Sequence, residues 1–300
     1  MPVCKTSVLA RKEERDFLLF SSPWWIGLAL FVIGPMIASV IISFTQWDII
    51  TPPKWVGLRN YLRLFRDDPL FWKSLRVTAV YTFVLVPLQL ALSLAVSVLL
   101  NQKVKFLGLF RTIFYLPTVL PVVASALLWL WILNPEGILN FFVGLLGIPR
   151  QNWLTDERLA LPSIMLMSLW GSFGTSMVIF LAGLQGVSPS LYDAARIDGA
   201  GSWACFRHVT LPMISPVLFF NFVMGVIGTF QVFTQGYLLT DGRPNNSTLF
   251  YVLYLYRSGF EYLKMGYASA MAWVLFVIIL AVTLLILRSS SLWVYYEVQR

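Results

Sequence analysis

The sequence predicts an all-α polytopic membrane protein with six transmembrane helices. Three observations lead there. The 300-residue chain is 58% hydrophobic and 12% charged, with a mean hydropathy of +0.75, far from the composition of soluble domains. Six apolar stretches, residues 22–45, 77–100, 112–133, 162–185, 211–235 and 268–287, are each long enough to cross a bilayer core of about 30 Å. None of the six contains Asp, Glu, Lys, Arg or His.

The elements follow in order. Residues 1–21 form an N-terminal segment carrying Lys5, Arg11, Lys12 and Arg15. The first apolar stretch is too long for a signal-peptide core and lacks a small-x-small cleavage site, so it is expected to remain as a span. Residues 22–75 hold that span and an outer connection. There Leu58, Tyr61, Leu62 and Phe65 share one helical face opposite Arg59, Arg63 and Arg66, which predicts a short helix at the membrane interface. Asp67-Asp68-Pro69 should turn the chain. Residues 76–287 hold five further spans. In the third of the six, Pro117 and Pro121 should kink the helix and free backbone carbonyls. A loop at 186–211 separates the fourth and fifth spans, and 288–300 is a tail.

An even number of spans puts both termini on one side. Lys and Arg divide equally between the two sides. The N-terminal cluster carries most weight in orientation, so the termini are expected inside. The net charge of +8 does not point to nucleic acid, because the bases are scattered over loops that frame apolar spans. Cys4 and Cys205 fall on the same inner side, and no disulfide is expected. Cys205 reads as a small buried apolar residue. The lone His208 has no metal-ligand partner at useful spacing, so no metal site is expected.

Spans without ionisable groups exclude the usual intramembrane proton relay. They also supply no catalytic group at membrane depth, so the chain is not expected to be an enzyme. Sodium coupling through backbone carbonyls stays open. No G-x-x-x-x-G-K-[ST] run occurs, so ATP cannot be held in P-loop fashion. A transporter so built must draw its driving force from a partner.

The loop between the fourth and fifth spans offers an inlet. Ser188 can cap a helix, Pro189 suits its first position, and Ser190-x-x-Asp193 has capping-box spacing. Gly199, followed by Ala200 and Gly201, supplies a left-handed stop. Leu191, Ala194, Ala195 and Asp198 share one face. The two alanines leave room for another protein to approach closely, like a docking peg.

Asp193-Ala194-Ala195, then Gly199, then Val209-x-Leu211-Pro212 resembles the EAA loop of permease subunits in ABC-type importers, with Asp for the usual Glu and Val209 for the usual Ile. Trp55–Thr78 and Leu109–Asn140 are similar to stretches of the first permease in maltose- and glycerol-phosphate-type systems. Phe230–Pro244 resembles the end of that permease's fifth span, with Thr234 where Asp is common and Arg243 where Gly is usual. The resemblance implies the type I ABC importer permease fold in a prokaryotic plasma membrane, with both termini and the loop in the cytoplasm. It implies a second permease, two ATPase subunits that hold ATP and magnesium, and an extracytoplasmic sugar-binding protein. No cofactor is expected on this chain. Leu191, Tyr192, Asp193, Ala194, Ala195, Asp198, Gly199, Leu211 and Pro212 would couple to the ATPase. In that role Asp193 pairs with a basic group, Leu191 fills a pocket and Gly199 permits the sharp exit.

A sugar would need neutral hydrogen-bonding side chains and flat aromatic faces along its path. Within the spans these are Ser168, Ser172, Thr175 and Ser176 with Trp170, then Asn221, Thr229, Gln231 and Gln235 with Phe230, and Gln89 beside Pro87. The resemblance implies substrate contact at Ser168, Gly171, Ser172 and Thr175 before the loop, and at Gly225, Thr229 and Val232 after it. Trp170 and Gln231 complete the expected pathway. A competing reading is that Ser, Thr and Gly at this spacing mark tight helix packing in lipid, with Asn221 and Gln231 as interhelical glue. Other solutes (polyamine, amino acid, phosphate) share the EAA loop, and a secondary carrier is the alternative from a different class.

Overall fold

The computed structural model describes residues 8–102 and 105–295. Cys4, Lys5, Lys103 and Arg300 lie outside them. In chain order the helices are α1 (Val8–Leu28), α2 (Gly34–Ser43), α3 (Arg59–Arg66), α4 (Pro69–Leu100), α5 (Leu107–Val119), α6 (Val122–Ile132), α7 (Ile138–Leu145) and α8 (Ala160–Gln185). They continue as α9 (Pro189–Ile197), α10 (Ser202–Cys205), α11 (Leu211–Met213), α12 (Ser215–Phe230), α13 (Thr234–Leu239), α14 (Tyr251–Tyr256) and α15 (Met265–Trp293). Arg15–Ser43, α4, α8 and α15 are long and apolar enough to cross a bilayer. The α5–α6 and α10–α12 pairs pass the same test when each is taken as one bent span, which gives the six expected.

The breaks have identifiable causes. Between α5 and α6 the axis turns by 99°. Leu120, ahead of Pro121, is extended with ψ 133°, as a residue before proline prefers. The expected kink is therefore a full corner. The fifth span is interrupted by 65° next to Ile214, and Pro216 starts α12 where no amide is needed. That span ends at Phe230, five residues short of the predicted boundary, because the chain leaves helical geometry at Gln231. A π-helical turn, Ala29–Ile33, precedes Pro35 in the first span. The proline nitrogen cannot donate, and the displaced ladder shifts by one residue.

Two compact units make up the chain: Met1–Arg66 with Ser258–Val274, and Asp67–Arg257 with Leu275–Arg300. In the first, a two-residue ribbon pairs Thr45 with Trp55 and Gln46 with Lys54. Phe44 stacks on Trp55, Ser43 Oγ meets the Tyr61 hydroxyl at 2.7 Å, and Asn60 donates to the carbonyls of Ser43 and Thr45. The apolar face expected on α3 stands outward at Leu58, Leu62 and Phe65. Leu64, which that face left out, is the fully buried residue. In the second unit the chain turns at Asp67-Asp68 as predicted, and Asp68 also caps α4, which starts eight residues ahead of the expected span. One carboxylate oxygen accepts from the Leu70 and Phe71 amides, and the other from the Tyr254 hydroxyl at 2.5 Å.

The core of the second unit is the α4–α8 pair. Ser93 Oγ donates to the Phe173 carbonyl and Ser97 Oγ to the Met177 carbonyl, at 2.8 and 2.7 Å. Small hydroxyl residues thus let the two backbones approach and bond across the contact. Gly174 does the same for α5: a Cβ there would lie 2.7 Å from the Phe114 carbonyl oxygen and from Thr118 Cγ2.

Candidate functional site

Beside this tight pair a cavity of about 710 Å³ opens among α4, α8, α12 and the corner between α5 and α6, with neutral polar side chains set in an apolar wall. Its size lies within the roughly 300–1,000 Å³ typical of small-molecule sites. α8 contributes Ser168, Gly171, Ser172, Thr175, Ser176 and Ile179, a face that repeats every third or fourth residue. α12 and the turn after it contribute Asn221, Gly225, Thr229, Gln231 and Val232. Phe233, Thr234 and Gln235 follow. No Asp, Glu, Lys, Arg or His is among the lining residues.

The lining hydroxyls differ in what they are free to do. Thr229 Oγ1 donates to its own helix at the Gly225 carbonyl, 2.8 Å away. Ser176 Oγ is taken by the Gln89 amide at 3.1 Å, and Asn221 donates to the Val217 carbonyl at 3.0 Å. Ser172 Oγ is buried with no hydrogen-bond partner among the described residues. A buried hydroxyl in that state costs desolvation unless something bonds to it.

The structure brings together Ser168, Gly171, Ser172, Thr175, Gly225, Thr229, Gln231 and Val232 of the sequence-predicted pathway, along with Gln89, Ser176, Asn221 and Gln235. Trp170 is the exception. It points to the other side of α8 and meets Trp129 edge-on at 5.9 Å. Phe230 is likewise buried away from the cavity. The aromatic lining comes instead from Tyr81, Phe220 and Phe233, none of which sequence reasoning singled out. Tyr81 was findable, because it stands eight residues before Gln89 on the same face of α4. The serines sort into two groups: Ser93 and Ser97 fasten helices, whereas Ser168 and Ser172 border open space.

The loop after α8 folds as its local chemistry directs. α9 ends in a Schellman motif: the Ala200 amide reaches the Ala195 carbonyl at 2.9 Å, and the Gly199 amide reaches Arg196 at 3.0 Å. Gly199 has φ +85°, the expected left-handed stop. The expected capping box does not form. Ser188 occupies the N-cap, but its hydroxyl meets Ser190 Oγ at 2.7 Å, and Asp193 faces Arg196 at 3.6 Å. With Asp193 and Arg196 both exposed, that pair contributes at most a few tenths of a kcal/mol.

Tyr192 is the side chain of α9 that packs into the apolar core among the described residues. Its ring packs on the cluster of Phe180, Leu184, Val187 and Ile214, and its hydroxyl meets Thr210 Oγ1 at 3.0 Å. Ala195 is half-buried, Ala194, Asp193 and Asp198 are exposed, and Leu211 and Pro212 are half-buried where α11 begins. The outward surface adds two residues that sequence reasoning missed: Ile197, 86% exposed, and Trp203, 72% exposed and stacked on Phe206. Cys205 is buried as expected.

Bent apolar spans bordering a charge-free cavity, with one exposed helix held out on a loop, define a membrane transport subunit. The family model described as "Binding-protein-dependent transport system inner membrane component" matches residues 87–295, and the chain belongs to that family. It is 42% identical over 297 residues to the probable ABC transporter permease protein YesP of Bacillus subtilis, covering 98% of this chain and 96% of that one. It is 33% identical over 293 residues to the lactose transport system permease protein LacF of Rhizobium radiobacter, covering 95% and 97%. A chain in the crystal structure of a bacterial ABC transporter that imports the acidic polysaccharide alginate shares the fold. Its TM-score is 0.83 at 24% identity, over 95% of this chain and 99% of that chain. Several apolar helices and this family place the protein in the membrane as a multi-pass permease.

Proposed function

We propose that this chain is the permease subunit of an ATP-driven, binding-protein-dependent sugar importer and forms half of the translocation pathway. The observation that carries this reading is the cavity: neutral hydroxyl and amide groups with aromatic rings and no charge, the chemistry that a ring of hydroxyls requires. The lactose-system relative, similar over nearly the full chain, agrees with it. Ser168, Ser172, Thr175, Thr229 and Gln231 present hydrogen-bonding groups to the solute, while Gly171, Gly225 and Val232 set the width of the path.

In this reading a second, similar permease completes the pathway. Two ATPase subunits carry ATP and magnesium on the cytoplasmic side, where both termini also lie, and an extracytoplasmic binding protein delivers the sugar. α9 docks on an ATPase through Leu191, Ala194, Ala195 and Asp198, with Asp193 pairing to a basic group. Ile197 and Trp203 extend the same apolar contact. Closure of the ATPases on ATP draws the docking helices together and turns the spans outward; hydrolysis returns them. Each tenfold of accumulation needs about 1.4 kcal/mol, so the helix must hold its geometry under load. The test is uptake by a variant with both Asp193 and Gly199 replaced. We expect uptake to vanish while the membrane level stays normal. Wild-type uptake in that variant ends the docking role. Screening sugars against a copurified binding protein tests the substrate class.

A further inference from the structure

A second groove, of about 440 Å³, runs along the outside of the α5–α8 pair, away from the cavity. Arg111, Thr112 and Gln185 form one end, and Leu116, Val119 and Val178 form the length of it. From Arg111 to Val119 it follows eight residue steps of α5, about 12 Å at 1.5 Å per step. The gradient is therefore polar at one end, with Arg111, Thr112 and Gln185, followed by a mostly apolar surface that Tyr115 alone interrupts with a hydroxyl.

Among the described residues no acidic group pairs with Arg111. Its Nε is buried without a hydrogen-bond acceptor, and no carboxylate lies within ion-pair distance of it among the described residues. A half-buried guanidinium at the edge of the hydrocarbon is unfavourable unless an anion meets it. Guanidinium matches phosphate geometry and does so with charge-assisted hydrogen bonds. An apolar groove continuing from that point fits an acyl chain, and basic pockets between spans favour acidic head groups.

We infer that the α5–α8 groove is a binding site for an acidic phospholipid, with its phosphate on Arg111 and Gln185 and an acyl chain along Leu116, Val119 and Val178. A zwitterionic lipid fits less well, because its own ammonium already compensates the phosphate. Gln185 ends α8 only four residues before α9 begins. A bound lipid would therefore brace the root of the docking helix. That consequence rests on the proposed function, but the binding does not.

The experiment is native mass spectrometry of the full chain in detergent, titrated separately with phosphatidylglycerol and phosphatidylcholine. One basic contact should favour the acidic lipid by about fivefold. The preference should disappear in Arg111→Gln and persist in part in Arg111→Lys, and Val178→Trp, which fills the groove, should weaken both lipids. Added inorganic phosphate should not displace the lipid. Three results would overturn the proposal: an unchanged preference in Arg111→Gln, displacement by free phosphate alone, or efficient cross-linking of cysteines placed at Val119 and Val178 to another protein in native membranes.

Discussion

The cavity and α9 adjoin in the chain through α8, yet they are held in opposite ways. α8 buries side chains along its length, from Ala160 to Leu184, while α9 buries none completely. The cavity walls are α4, α8, α12 and the α5–α6 corner, whose spacing depends on contacts such as Ser93 to Phe173 and Gly174 to Phe114. α9 depends on its own Schellman turn and on the packing of Tyr192. The cavity is therefore a property of packing and changes whenever a helix shifts. The shape of α9 is a property of local sequence and needs little from its neighbours.

Their two glycines make the difference testable. Gly174 is helical and matters for space, whereas nothing lies within 4 Å of a Cβ on Gly199, which matters for its dihedral angle. Gly174→Leu should give the largest effect. Overpacking of this kind costs about 1–3 kcal/mol and sometimes more. We expect a several-fold loss of protein in the membrane, measured by immunoblot, and a lower melting temperature in detergent. Gly199→Val comes next, at about 1–2 kcal/mol for a side chain forced into left-handed geometry. Because that strain is local, uptake should fall while membrane level and melting hold. A parallel fall in both variants would break the comparison, since it would make α9 part of the core.

Smaller changes sharpen it. Tyr192→Phe keeps the ring but removes the contact to Thr210, a loss of about 0.5–1.5 kcal/mol. ATP hydrolysis by the assembled transporter should continue with fewer sugars moved per ATP, and the ratio of the two rates measures this. Unchanged coupling would mean that the ring alone is the root. Ser172→Ala should be the mildest for the fold, within about 0.5 kcal/mol, because the hydroxyl has no protein partner to lose. Its signature should instead be a several-fold weaker apparent affinity for sugar in uptake assays. A stability loss with unchanged affinity would place Ser172 among the helix fasteners.

Much of this was legible in the residues. Pro117 and Pro121 announce the corner of the third span, because proline removes a donor and extends the residue before it. Asp67-Asp68-Pro69 announces the turn before α4, though not that the helix starts there, and Gly199 announces the end of α9. Where reading failed, the cause was geometry between elements. Ser190-x-x-Asp193 has capping-box spacing, but the cap falls at Ser188 and Asp193 faces Arg196 instead. Trp170 sits among cavity serines in sequence, yet its position on α8 carries it round to Trp129. Ile197 and Trp203 look like ordinary apolar residues until their exposure is seen.

By itself the chain determined six uncharged apolar spans, their proline breaks and a capped helix on the loop between the fourth and fifth. These follow from hydropathy, dihedral preference and capping, which act over a few residues. Only the tertiary structure decided which serines fasten helices and which border open space, that Tyr81 and Phe233 supply rings to the cavity, and that Arg111 heads an apolar groove. Those outcomes depend on how distant helices turn toward one another, and an apolar span leaves that rotation open until its neighbours pack.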